Sequence, residues 1–177
     1  EQTPAQAVYQ AESTHCNLRL KVTTTIEFDG FMEWQFQITP LTDSVTVRDL
    51  HLVIPVKPEI AQLYNHGVGG NYDCINGTDI REWNGEGSIT QDGLHLTYTH
   101  YFWLGNEKAG FQWFSDNASG WTPANRYNVI EVACDETERR LILHIADNQR
   151  VIEGPLKFTC GVIPTPVRPQ PAPSDIG

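Results

Sequence analysis

The sequence predicts an all-β fold: an antiparallel β-sandwich with one short helix and a proline-rich C-terminal tail. Apolar and polar residues alternate with a period of two over most of the chain, turn residues separate these runs, and only one segment has helical signals. A chain of 177 residues, 40% of them hydrophobic, is long enough for one domain with its own core. We expect a sandwich domain over residues 1–163 and a linker or tail over residues 164–177.

The clearest strand is FMEWQFQIT, in which every second residue is apolar. The apolar positions share one face: Met32, Trp34, Phe36 and Ile38. The preceding segment, LRLKVTTTIEF, is rich in β-branched residues, and Asp29-Gly30 between the two is a hairpin signal. We therefore expect these two strands to pair antiparallel.

The remaining strands are predicted in TVRDLHLVIPV, LHLTYTHYFWL, AGFQWFS, YNVIEVAC, RLILHIAD and LKFTCGVI, which are short and β-branched or aromatic. The helix is predicted in PEIAQLYNHG, with proline at its start and glycine at its end. Residues from about 65 to 92 are glycine-rich and predicted to be a long loop. The spaced prolines of PTPVRPQPAPSDIG favour a linker or a wrapping arm.

The charge of the chain limits its partners. A formal net charge of -10 and a pI near 4.9 argue against nucleic acid and anionic membranes, so a neutral partner fits better. No apolar run reaches the roughly 18 residues needed to cross a bilayer. The first residues do not form a signal peptide, which leaves two alternatives: a signal has been removed, or the chain is a piece of a larger protein.

The four cysteines, Cys16, Cys74, Cys134 and Cys160, contain no C-x-x-C pair and so predict no zinc site. In an oxidising compartment they could form two disulfides, with Cys134 and Cys160 as the favoured pair. Four reduced cysteines are the alternative, and the sequence leaves both open.

No catalytic or metal motif stands out. No carboxylate pair is singled out for acid and base catalysis, and there is no serine-nucleophile motif. Five acids of the loop region could provide ligands for a structural calcium ion: Asp73, Asp79, Glu82, Glu86 and Asp92. The favoured interpretation is that these are solvated loop acids. The sequence thus predicts no cofactor, with structural calcium left open.

The aromatic residues are the remaining signal, and YFWLGNEKAGFQWFSDNASGW holds three of the five tryptophans. Neutral sugars are held by an aromatic ring under their apolar face, with amides and carboxylates alongside. Tyr101 and Trp103 share one strand face, and Phe111 and Trp113 share one face of the next strand. We expect all four to stand together across a hairpin, as core or as a binding surface.

The tryptophans differ in their expected burial. Trp34 is expected in the core, which is also favoured for Trp103 and Trp113. Trp83 and Trp121 lie in turn-rich segments, where exposure and burial are equally expected, so they are the first stacking candidates. The full candidate set for a carbohydrate site is Trp83, Trp121, Trp103, Trp113, Tyr101, Asp116 and Asn117, the last two as hydrogen-bonding groups.

Three segments carry a resemblance to a known family: LHLVIPV, then YFWLGNEKAGFQWFSDNASGW, then GVIPTPVRPQP. From about Leu50 to Pro171 the chain resembles the β-sandwich region that precedes the catalytic barrel in glycoside hydrolase family 123-like proteins. The most specific pieces are W-L-G, G-F-x-W-F and T-P-V-R-P. The resemblance implies a non-catalytic module of a secreted or periplasmic bacterial glycan-degrading protein, whose catalytic acids lie in a barrel beyond this chain.

Three functions follow as hypotheses. The favoured one is a carbohydrate-binding accessory module, not itself an enzyme, with a neutral glycan or polysaccharide and a C-terminal catalytic domain as its partners. The second is a structural sandwich that packs against the barrel and binds no ligand. The third, less favoured, is a small glycan-active enzyme.

Overall fold

A computed structural model describes residues 2–3, 5–66, 72–73, 78–79 and 86–167. The strands are β1 (Gln6–His15), β2 (Leu18–Glu27), β3 (Met32–Pro40), β4 (Val45–Val47), β5 (Leu50–Val56), β6 (Leu63–Asn65), β7 (Tyr72–Asp73), β8 (Thr78–Asp79), β9 (Glu86–Ser88), β10 (Leu94–Leu96), β11 (Tyr101–Gly105), β12 (Gly110–Ser115), β13 (Ile130–Cys134), β14 (Arg139–Ala146), β15 (Arg150–Ile152) and β16 (Leu156–Thr165). No helix long and apolar enough to cross a membrane occurs among these residues.

The strands form one large and one small sheet, both antiparallel. The large sheet has eight strands in the order β1-β2-β3-β16-β12-β11-β6-β9, and the small sheet has four in the order β10-β13-β14-β5. Two further two-stranded pairs, β15-β4 and β7-β8, lie outside them. The predicted all-β antiparallel class is confirmed.

Side chains from both sheets meet in one buried cluster. The large sheet contributes Phe102, Leu104 and Trp113, and the small sheet contributes Val132 and Leu141, all with 0% exposure. We call the faces that form this cluster the inner faces and the opposite ones the outer faces. A core shared by two sheets fits the predicted sandwich.

The predicted hairpin between the first two recognised strands is confirmed. β2 and β3 pair antiparallel from Leu18 and Pro40 to Ile26 and Met32. Gly30 has a positive φ of 92°, which a glycine adopts without strain. The amide of Phe31 donates to the Asp29 carboxylate at 2.9 Å, so both residues of the turn signal have a defined role.

The short helix predicted in PEIAQLYNHG is wrong. Residues 58–62 form turns, and residues 63–65 form β6, which pairs with β11. A single helical hydrogen bond joins the Ala61 amide to the Lys57 carbonyl at 3.1 Å. The next amide, of Gln62, donates instead to the Gly105 carbonyl at 3.1 Å, so pairing with β11 replaces the second helical turn.

The first and last strands differ from the sequence prediction. β1 was not predicted; it pairs with β2 along its whole length at the edge of the large sheet. β16 continues through Thr165, two residues past the predicted strand LKFTCGVI, with Pro164 opposite Phe111. Residues 168–177 of the predicted tail lie outside the described residues, so the linker remains a prediction.

Candidate functional site

The register between β11 and β12 separates the four aromatic residues that were predicted to stand together. Tyr101 pairs with Phe114, and Trp113 pairs with Phe102. Tyr101 and Trp103 therefore lie on the outer face of the large sheet, whereas Phe111 and Trp113 lie on the inner face. The grouping was wrong because a shift of one residue in the register moves every side chain of a strand to the other face.

Trp113 and Trp121 belong to the core and cannot stack on a glycan. Their exposed fractions are 0% and 3%. The two rings are 5.9 Å apart at an angle of 64°, and Tyr98 lies 5.1 Å from the ring of Trp121. The turn-rich sequence around Trp121 left its exposure open, but Thr122 donates to the Ile145 carbonyl at 2.7 Å and holds the segment against the small sheet.

The two hydrogen-bonding candidates, Asp116 and Asn117, are exposed. Trp113 and Trp121 are buried and therefore do not form a surface site with them. The backbone amide of Asp116 donates to the Thr159 carbonyl at 3.3 Å. This bond does not involve the carboxylate, which belongs to the first residue after β12. The side-chain oxygen of Asn117 accepts from the Ser119 amide at 2.8 Å. Asn117 therefore shapes its own turn.

Of the two other tryptophans, Trp34 packs against the core cluster as predicted but is only partly buried. Trp83 lies outside the described residues, so its role as a stacking candidate stays a prediction.

The side chain of Trp103 lies over a pair of glycines. Gly105 and Gly110 are directly opposite each other in the β11–β12 ladder. A Cβ at Gly110 would come within 3.0 Å of the indole, and one at Gly105 would overlap it. The indole Nε1 donates to the Thr165 hydroxyl at 3.0 Å, which fixes the ring against β16. Trp103 is thus an immobilised ring on the outer face.

A shallow groove runs along this ring. It is open to solvent and has a volume of about 410 Å³. Its lining residues are Trp103, Asn106, Glu107, Lys108, Ala109, Thr165 and Pro166. The groove combines an aromatic ring with a carboxylate and an ammonium group, so it offers a stacking surface next to hydrogen-bonding groups.

The loop that forms one wall of the groove is held by Asn106. Its side-chain oxygen accepts from the amides of Lys108 and Ala109, both at 2.8 Å. Its side-chain nitrogen donates to the Glu59 carbonyl at 2.6 Å. Within the described residues Glu107 forms no salt bridge, so its carboxylate remains open to a ligand.

The outer face continues beyond the groove in two directions. Tyr101, 52% exposed, is two residues from Trp103 on the same strand face. Phe114 stacks on Phe31 with ring centroids 5.2 Å apart. Across β3 and β16 the face becomes polar, with a second groove of about 260 Å³ lined mainly by Lys21, Thr23, Gln35, Gln37, Phe36, Lys157, Phe158 and Thr159.

Comparison with known protein families decides the classification. The family model described as glycoside hydrolase 123, third domain, matches residues 1–133, which is more than half of the chain. The chain belongs to this family. The resemblance found in the sequence is confirmed, and the match adds the N-terminal strands β1 to β4, which that resemblance did not cover. No curated protein matched the chain.

In this glycoside hydrolase 123 third domain, three cysteines are free thiols: Cys16, Cys134 and Cys160. The favoured Cys134–Cys160 disulfide is therefore wrong. Cys134 ends β13 of the small sheet, whereas Cys160 is buried within β16 of the large sheet. Burial raises the pKa of the Cys160 thiol to about 12, so it remains protonated. Cys74 lies outside the described residues.

The structural calcium ion that the sequence left open remains an open alternative to solvated loop acids in this third domain. Glu82 lies outside the described residues, and only the backbone is described for Asp73 and Asp79. In the part of the chain whose side chains are described, no three histidine, cysteine or acidic residues are grouped so that they could hold a metal ion.

Sequence reasoning named Trp103 and Tyr101 as candidates but did not identify the groove beside Trp103. Glu107 and Lys108 lie in the turn segment GNEKAG, which showed no pattern of its own. Thr165 is 62 residues from Trp103, so its contact with the ring depends on the fold and not on the local sequence. The glycines that flank this turn were the available clue. A glycine pair next to a tryptophan leaves room for the ring to lie on the backbone.

Proposed function

We propose that this glycoside hydrolase 123 third domain is a non-catalytic carbohydrate-binding module, and that Trp103 is the ring on which the sugar stacks. The observation that carries the proposal is the indole of Trp103, which covers Gly105 and Gly110, is fixed by Thr165, and lines an open groove. A ring held in this way loses little conformational entropy when a ligand binds.

The groove supplies the polar contacts that a stacked sugar needs. The hydroxyl groups at the edge of a sugar both donate and accept hydrogen bonds, and Glu107 and Lys108 provide an acceptor and a donor on the same wall. Their charges are opposite, and the chain as a whole carries -10, so a neutral glycan fits better than an anionic one.

Tyr101 extends the binding surface along the strand. Residues i and i+2 of a strand are about 6.8 Å apart on one face. A second ring at this distance from Trp103 can contact the next unit of an oligosaccharide. We therefore assign the ligand class as a neutral oligo- or polysaccharide, with Tyr101 as the second ring.

In the parent protein we place catalysis in another domain, consistent with the membership of this chain in a third-domain family of a glycoside hydrolase. A secreted or periplasmic bacterial location and a catalytic domain beyond the proline-rich segment belong to the same proposal. None of the residues proposed here acts on a glycosidic bond.

The test is affinity electrophoresis through gels that contain soluble neutral polysaccharides. We expect one of them to retard the native domain and Trp103→Ala to abolish the retardation. The matched control is Tyr9→Ala, because Tyr9 is 58% exposed but lies on the opposite face of the same sheet. Equal retardation of Trp103→Ala and the native domain would reject Trp103 as the site.

One observation favours a second candidate, a structural module that packs against another domain. At the β1 end of the large sheet the inner face is only partly covered, with Met32 and Trp34 partly buried and Tyr9 exposed. If no polysaccharide in a broad panel retards the domain, the carbohydrate-binding function is rejected and this second function is supported.

A further inference from the structure

The outer face of the small sheet carries two histidines directly opposite each other. His51 of β5 and His144 of β14 are partners in the antiparallel ladder, and their ring centroids are 6.2 Å apart. The register shifts immediately after His144, between His144 and Ala146. An irregularity of this kind changes the direction of a neighbouring side chain, and such features are frequent at functional sites.

Each of these histidines is held by its own carboxylate. Asp49 Oδ1 lies 3.3 Å from Nδ1 of His51, and Glu131 Oε2 lies 2.8 Å from Nε2 of His144. The side-chain Nδ2 of Asn128 donates to the same Glu131 oxygen at 3.5 Å. One residue of β13, Glu131, and two loop residues, Asp49 and Asn128, thus orient the two imidazole rings.

The carboxylates also select the tautomer of each ring. A carboxylate only accepts hydrogen bonds, so the proton of neutral His51 lies on Nδ1 and that of neutral His144 on Nε2. The lone pair is then on Nε2 of His51 and on Nδ1 of His144. Among the described residues, neither of these two nitrogens has a hydrogen-bond partner.

We propose that His51 and His144 chelate a divalent transition-metal ion across the small sheet. Metal-binding histidines almost always donate their other N–H to a carboxylate or carbonyl, and both of these histidines already do so. Imidazole nitrogen suits Zn²⁺, Ni²⁺ and Cu²⁺. The net charge of -10 raises the local concentration of cations.

The geometry requires a small adjustment. Two imidazoles that bind one ion at about 2.0–2.1 Å have ring centroids about 5–6 Å apart, slightly less than the observed 6.2 Å. The side chain of His51 is 41% exposed, so a small movement that keeps the contact between its Nδ1 and Asp49 can close this gap. Because no third ligand is grouped with them in the described part of the chain, water completes the coordination and the affinity is below that of a closed structural site.

The experiment is isothermal titration of the metal-free domain with NiCl₂ or ZnCl₂, after alkylation of its reactive thiols to remove competing ligands. We expect one ion per chain and a rise in Tm on binding. His51→Ala and the double variant His51→Ala/His144→Ala should lose the binding, whereas His15→Ala, an exposed histidine of the large sheet, should keep it. Unchanged binding by the double variant, or none by the native domain, would overturn the proposal.

Two further measurements protect this test from a folding artefact, since His144 is mostly buried. Glu131→Gln keeps the size of the side chain but removes the carboxylate, and we expect about a tenfold loss of affinity. In the native domain, the ¹⁵N resonances of His51 Nε2 and His144 Nδ1 should shift on adding ZnCl₂, with the N–H protons on the other nitrogens. A shift at other histidines alone would reject the site.

Discussion

Gly105 and Gly110 lie opposite each other in the β11–β12 ladder, and the indole of Trp103 covers them both. Neither position has room for a side chain while the ring stays in place. The same two glycines bound the four-residue loop that forms a wall of the groove. The ring, its support and the adjacent polar groups are therefore parts of one local structure.

The first prediction concerns this support. Gly105→Ala should displace the Trp103 ring, weaken polysaccharide binding and lower the free energy of unfolding by about 1–3 kcal/mol, because a Cβ there meets both the indole and the Ala109 carbonyl. Urea denaturation and affinity electrophoresis measure the two effects. Gly154→Ala is the control, since a Cβ at Gly154 has no heavy atom within 4 Å.

The second prediction tests whether glycan binding needs the hydrogen bond that orients the Trp103 ring, with the ring itself still present. Thr165→Val removes the hydroxyl that accepts from Trp103 Nε1 and should cost about 0.5–1.5 kcal/mol of stability while weakening glycan binding. Thr165→Ser keeps the hydroxyl and should bind like the native domain. Equal binding by the valine and serine variants would show that the hydrogen bond does not hold the ring in its binding position.

The sequence predicted well those strands that bury one face and expose the other. β3 alternates clearly for this reason, and its apolar residues Trp34, Phe36 and Ile38 lie in or against the core as predicted. β1 gives no such signal because most of its residues are exposed on both faces. The alternation of a strand reports its burial, not its pairing.

Neither the register between β11 and β12 nor the burial of Trp121 could be predicted from the alternation of apolar residues. The loop between Gly105 and Gly110 decides which β12 residues share a face with Trp103, and the period-two pattern of each strand alone does not contain that information. Trp121 is buried through contacts with Tyr98 and Trp113, which come from other segments. Tertiary contacts of this kind override the turn-rich local sequence.

The third prediction tests the assignment of Trp121 to the core. Trp121→Ala should lower the free energy of unfolding by about 3–5 kcal/mol, because it leaves a cavity beside Trp113 and Tyr98. Tyr101→Ala, at an exposed ring, should change stability far less. Thermal denaturation of both variants makes the comparison, and a stable Trp121→Ala domain would contradict the assignment.

The fourth prediction concerns thiol reactivity. Cys16 is exposed, whereas Cys160 is 1% exposed and its pKa is raised to about 12 by burial. The thiolate is the reactive form, so iodoacetamide at pH 8 should modify Cys16 in the folded domain and Cys160 only after unfolding. Mass spectrometry of peptides from the two samples locates the modified residues. Rapid modification of Cys160 in the folded domain would contradict its burial.

The fifth prediction is a loss of stability in mild acid that depends on His66. Burial lowers the pKa of His66, although its hydrogen bond with the Thr97 carbonyl, at 3.1 Å, acts in the opposite direction. The folded domain therefore binds the His66 proton less readily than the unfolded chain does. Stability is fully present above the unfolded pKa of about 6.5 and falls as the pH drops below it towards the folded pKa. Urea unfolding between pH 7.5 and 5 measures this slope, and His66→Gln should flatten it; an equal slope in the variant would assign the acid sensitivity to other groups.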